Sequence, residues 1–331
     1  MSGWGVETLK KHGIRGKKKR VRWIIYGLAF LLLLVVLLVY MFQRSNVSNH
    51  EGAGEAVIID QLSVTYPNTT FWHTARSIFK QEELRTFYVQ GGFATVDFYR
   101  GLASRGFSFI ILRAHSAISL ETGDIVLFTN EKWSDSKAST TYLGDIMADG
   151  LAKVRVEEGS PEYFGIFPNF VRAMNGDFKN AVVVMMGCET LMNPSMAEAF
   201  IEKGAKLCIG WTGPVSIEHS DVSVIHFLQH LIAEKDTVSD AVSKTMEEVG
   251  EDPDWKGRLV WYPSEGGNVV FTETIGLGSK NGGFSFPLFV RDDLEVVVIS
   301  SVRQFEMSFG IKTCVSTEVT VHSNREYRRI L

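Results

Sequence analysis

Residues 23–42, WIIYGLAFLLLLVVLLVYMF, form a run of twenty residues without a charge. No other feature constrains the chain as strongly, because about twenty apolar residues is the length a helix needs to cross a hydrocarbon core. Trp23, Tyr26 and Tyr40 stand near its ends, where interfacial aromatics sit. A cleaved signal peptide would have a shorter apolar region ending in a small-residue cleavage site, and neither is present. The run reads as a transmembrane helix in contact with the lipid bilayer. Eight Lys or Arg lie in residues 1–22, KKKR at 17–20 among them, whereas Arg44 alone follows closely. The positive-inside rule then puts the N-terminus in the cytoplasm and the bulk of the chain outside, as a single-pass signal-anchor protein of the cell membrane.

Beyond residue 44 the chain carries 25 basic and 37 acidic residues, a net charge of −12. That balance argues against nucleic acid as a partner. Asn46-Val-Ser48 and Asn68-Thr-Thr70 are glycosylation sequons, consistent with export. Cys188, Cys208 and Cys314 are too few and too scattered for a disulfide framework, and their odd number leaves at least one thiol unpaired within the monomer.

The pattern divides the chain into a basic tail (1–22), the membrane helix (23–42), a polar linker (43–55), an α/β domain (56–275) and a β-rich C-terminal region (276–331). In the α/β domain, apolar runs at 56–60, 107–112, 181–186 and 206–211 read as strands. The spacing predicts helices over 71–87, 96–105, 168–174, 195–204 and 221–234. A hairpin is expected around 125–129 and a strand at 153–156. The helix at 195 opens as Ser195-Met-Ala-Glu198, the pattern of a capping box. Strands apolar on both faces and alternating with helices indicate an α/β fold with a mostly parallel sheet covered by helices on both faces.

Several chemistries are excluded. The chain has no Walker loop, no strand-following G-x-G-x-x-G and no G-x-S-x-G elbow. His226 and His230 are four apart, but Phe227 stands where a metalloprotease needs its general base, so both read as packed or surface histidines. DPDWKG at 252–257 opens like a calcium loop, yet its twelfth position is Pro263. No metal or organic cofactor is implied.

What remains is two strand ends. One strand runs into Arg113-Ala-His115-Ser116 and another into Gly187-Cys188. In an open parallel sheet the C-terminal strand ends border the ligand crevice, so neighbouring strands would bring imidazole and thiol together there. The imidazole would take the thiol proton and hold the thiolate, which attacks a carbonyl. Gly187 would let the backbone turn so that the sulfur projects, and the N–H groups of Ser116 and Cys188 would bind the oxyanion.

Four pieces, FIILRAHS, VVVMMGCET, SMAEAFIEKGAKLCIGWTGPV and TVSDAV, resemble the caspase-like (clan CD) cysteine peptidases, nearest to the gingipain and CHAT types. The resemblance spans about residues 56–275. It implies a parallel sheet, His115 as general base, Cys188 as nucleophile and a peptide or protein substrate hydrolysed through a thioester. Ser116 would take the oxyanion position, where many members have Gly. Asp60, at the same sheet edge, is either a binder of a basic substrate side chain or a turn-forming residue. Trp211 is either a pocket wall or a packed core residue, and the turn-forming Asp60 and the packed Trp211 are the favoured readings. A catalytically silent caspase-like surface binding or scaffold protein is the alternative. A glutamine-amidotransferase-type hydrolase would need a downstream His-x-Glu, and the chain offers only Glu218-His219.

Overall fold

The structure, a computed structural model, describes residues 54–271 together with Tyr26. The expected membrane helix apart from Tyr26, the basic tail, nearly all of the linker and the expected C-terminal β-rich region lie outside the described residues. In chain order the elements are β1 (Glu55–Asp60), α1 (Thr69–Gln81), β2 (Arg85–Gln90), α2 (Val96–Arg100), β3 (Phe109–Arg113), β4 (Ser116–Ile118), β5 (Ile125–Lys132), α3 (Asp135–Ser139) and α4 (Leu143–Met147). They continue with β6 (Leu151–Val154), β7 (Tyr163–Ile166), α5 (Pro168–Arg172), β8 (Val182–Met185), α6 (Ser195–Glu202), β9 (Leu207–Trp211), α7 (Ile217–Leu228), α8 (Val238–Glu248) and β10 (Leu259–Tyr262).

The fold is α/β. A six-stranded sheet runs β10-β9-β8-β3-β1-β2, parallel throughout except for the antiparallel edge strand β10. Its inner strands β9, β8, β3 and β1 are almost wholly buried because both faces are covered. Val57, Ile59, Ile110, Leu112, Val183 and Met185 face one way, against Tyr99 of α2, Phe170 of α5 and Phe200 of α6. The alternate residues Ala56, Ile58, Phe109, Ile111, Val182 and Val184 face the other way, against Phe71 and Phe79 of α1, Phe227 of α7 and Val242 of α8. Each Val, Leu, Ile, Phe or Met among them gains about 1.5–3 kcal/mol from full burial. A one-residue slip would exchange the two faces, so the paired cores fix the register.

A second, antiparallel sheet, β4-β5-β7-β6, follows directly from the end of β3. The sequence suggested only a hairpin and one strand here, since β4 has three residues and β6 four. Its pairing places Phe164 and Ile166 in the same core as Ile110 and Leu112.

Two expected elements differ. The helix predicted over 71–87 ends at Gln81, and Phe87 belongs to β2, a strand at the sheet edge whose residues are mostly half-buried. The capping box at Ser195 does not form. The N-cap position of α6 falls on Pro194, and the Ser195 hydroxyl instead accepts from the Ile125 N–H at 3.2 Å, tying α6 to β5.

Candidate active site

β3 and β8 are adjacent and parallel, with Leu112 opposite Met185. Beyond them the Met186 N–H still donates to the Leu112 carbonyl at 2.9 Å. His115 and Cys188 lie just past this point, at the C-terminal edge of the sheet. Both line one small cleft, together with Arg113, Met186, Gly187, Val215 and Asp221.

The turn carrying Cys188 is held by hydroxyl groups. The Thr190 hydroxyl donates to the Met185 carbonyl (3.1 Å), with the Gly187 carbonyl also in reach (3.3 Å), and accepts from the Trp211 N–H (3.1 Å). Ser220 of α7 donates to the Met186 carbonyl at 3.0 Å, and Ser116 to the Cys188 carbonyl at 2.5 Å. The left-handed residue of this turn is Glu189 (φ 61°) rather than Gly187. Gly187 is needed for a different reason: a Cβ there would lie 2.2 Å from the Ser116 Oγ and 2.6 Å from the Ala114 carbonyl oxygen. The missing side chain lets the Cys188 turn pack directly on the β3–β4 junction. The Glu189 carboxyl, which burial pushes above its usual pKa, is not part of the cleft wall.

His115 is positioned from behind by Gln61, just beyond β1. Gln61 Oε1 accepts from the His115 N–H at 3.0 Å, and Gln61 is itself clamped to Asn130 of β5 by two hydrogen bonds of 2.7 and 2.6 Å. Tyr66 and Phe128 meet the imidazole edge-on, at centroid distances of 6.2 and 6.0 Å. Burial, and secondly the Arg113 guanidinium, push the His115 pKa down to about 4. The ring is therefore neutral at pH 7 and able to accept a proton. The Cys188 thiol donates to the Val215 carbonyl at 3.4 Å.

Ser116 is buried, and its hydroxyl is spent on Cys188. The Phe128 N–H donates to the His115 carbonyl (3.0 Å) while Ser116 sits opposite Leu127. Antiparallel pairs alternate between bonded and non-bonded, so the Ser116 N–H points away from β5.

Asp60 and Trp211 are not brought into the cleft. Asp60 is fully buried, accepting from Arg113 Nη1 at 2.8 Å and from the Tyr88 hydroxyl at 2.7 Å. Its charge is committed to a protein partner, so it does not face a substrate. Trp211 is also fully buried, and its indole N–H donates to Ser220 at 3.2 Å, which makes it part of the support beneath the Cys188 turn.

What lies under His115 and Cys188 has little signal in the local sequence. Arg113 grips Asp221 of α7 with Nε (2.7 Å) and Nη2 (2.8 Å) while bonding Asp60, and the Asn68 amide adds a bond to Asp221 at 2.8 Å. The same Asn68 caps α1 by accepting from the Phe71 N–H at 3.0 Å. The sequon at Asn68 thus has its amide turned into the fold. Arg113 is two residues before His115, and a cation in a buried strand signals a buried partner. The identity of that partner is not a local property of the sequence.

No family model matches this chain, and neither does any characterised protein.

Proposed function

We propose that the chain is a membrane-anchored, extracytoplasmic cysteine peptidase of caspase-like architecture, acting through the dyad of His115 and Cys188. The observation that carries this reading is the convergence of a neutral imidazole and a thiol in one cleft at the C-terminal edge of neighbouring parallel strands. Residues 23–42 anchor it in the bilayer, and the basic tail keeps the N-terminus in the cytoplasm.

Neutral His115 takes the thiol proton as the sulfur attacks the substrate carbonyl carbon. The oxyanion forms against the N–H groups of Ser116 and Cys188, a device worth about 3 kcal/mol per donor when removed. The C–N bond then breaks, His115 returns the proton to the leaving amine, and a thioester remains on Cys188. Water, deprotonated by His115, attacks the thioester, and the departing sulfur recovers the proton. Burial and the Arg113 guanidinium disfavour the protonated imidazole, so His115 rests neutral and takes the proton only as the sulfur attacks.

One observation favours the second reading, a noncatalytic surface module: the thiol is already donated to the Val215 carbonyl and must leave it to react. A diverse peptide library incubated with the full-length protein, with products read by mass spectrometry, separates the two. New termini that disappear in Cys188→Ala and fall at least about 100-fold in His115→Ala are expected of the peptidase. An unchanged library with a well-folded wild-type protein belongs to the module.

A further inference from the structure

α7 does not end in an ordinary turn. It runs into a single π-helical turn, Gln229–Ala233, a rare feature that is frequent at functional sites. His226 of α7, His230 of that turn and Glu248 at the end of α8 meet at one point. Glu248 Oε2 is 2.7 Å from His226 Nδ1 and 3.1 Å from His230 Nε2, and the three ligand-capable atoms all lie within 4.8 Å of one another.

The second nitrogen of His230 is also engaged: Nδ1 is 3.0 Å from Glu234 Oε2. With Nδ1 held by Glu234, Nε2 is the nitrogen left to face the Glu248 oxygen, and either a ring proton or a bound cation can bridge the two. A carboxylate on the far nitrogen is the usual partner of a metal-binding histidine, because it fixes the tautomer that leaves the other nitrogen free to ligate. The neighbouring group of His230, Glu234 and Asp236 is a weaker site, since Lys244 Nζ lies 2.7 Å from Asp236 and 3.4 Å from Glu234 and supplies the positive charge.

We propose that His226 Nδ1, His230 Nε2 and Glu248 Oε2 bind one divalent transition-metal ion of the zinc type. Two imidazoles and one carboxylate are a borderline donor set, suited to zinc, nickel, copper or cobalt and poorly suited to calcium or magnesium. The His230 side chain is 7% exposed, while those of His226 and Glu248 are 43% and 45% exposed, so the ion has a route in and a fourth position open to water. Bound there, it would pin the π-helical turn to the end of α8. This site shares no residue with the His115–Cys188 cleft and does not depend on peptidase activity.

The test uses the full-length protein, stripped by a chelator, and carries Cys188→Ser so that the cleft thiol cannot compete for the ion. Zn²⁺ is titrated against a chromophoric chelator, and Co²⁺ replaces it for visible spectroscopy. One site per chain is expected, with the intense absorption of four-coordinate Co²⁺. His226→Ala and Glu248→Gln, both at half-exposed positions and checked by circular dichroism, should each weaken binding by at least about 100-fold, and Glu234→Gln by about tenfold. The exposed His73→Ala should change nothing. Absence of a Zn²⁺ site, or an affinity unchanged in both His226→Ala and Glu248→Gln, would overturn the proposal and assign the cluster to a proton-bridged hydrogen-bond network.

Discussion

Gly187 and His115 show how much of the site rests on single atoms. Gly187 touches the β3–β4 junction so closely that a methyl group would meet the Ala114 carbonyl and the Ser116 hydroxyl well inside van der Waals contact. The backbone on one side must move. Gly187→Ala is expected to lower the unfolding free energy by about 1–3 kcal/mol, the usual cost of overpacking, as measured by urea denaturation. His115 makes a pH prediction. Its folded pKa of about 4 lies below the ordinary value of 6.5, so between those limits the unfolded chain binds the proton and the folded one does not. Stability is therefore fully present above pH 6.5 and declines as pH falls toward 4, by up to about 3 kcal/mol. Urea midpoints at pH 7 and pH 4.5 should draw closer together in His115→Gln than in the wild type. A difference that persists unchanged in the variant would place the acid sensitivity elsewhere.

At the scale of elements, the dyad stands on a buried charge cluster. Arg113 of β3 links Asp60 of β1 to Asp221 of α7, and all three side chains are nearly inaccessible. Removing the cation would strand two carboxylates in a site that cannot hydrate them. Arg113→Leu should cost about 3–5 kcal/mol, and Arg113→Lys should recover only part of the loss because an ammonium cannot form the two-pronged contact with Asp221. Urea midpoints of the two variants check the order. Equal midpoints for wild type and Arg113→Leu would show that the cluster contributes no stability. The strands that lead to His115 and Cys188 were readable in the sequence, since FIIL and VVVM are apolar on both faces, as strands buried on both sides must be. β2 was not: RTFYVQ lies at a half-buried edge, and its Phe87 continues the helical spacing of α1. His115 and Cys188 were found because they terminate readable strands. Gln61, Val215 and Asp221 were not, because each acts through a contact with a residue remote in the chain. Asp60 shows the limit: its place at the sheet edge was legible, but its occupation by Arg113 was not.

For the molecule as a whole, two cores on opposite faces of one sheet hold the strands in register, and that register sets His115 and Cys188 side by side at the sheet edge. The antiparallel second sheet starts from the residue after His115, so the imidazole-bearing residue sits at the joint between the two sheets. Gln61, from the end of β1, and Asn130, from β5, close that joint. The central claim is that this architecture makes Cys188 a nucleophile served by His115. It is tested most directly by incubating the full-length protein with a pool of N-acetylated aminoacyl p-nitrophenyl esters, quenching in acid at intervals and locating acyl groups by peptide mass spectrometry. The account predicts a thioester on Cys188 and none on the buried Cys208, forming at least about 100-fold more slowly in His115→Ala. Acylation of Cys188 at the same rate with and without the imidazole, or no acylation of Cys188 in a folded protein, would contradict it.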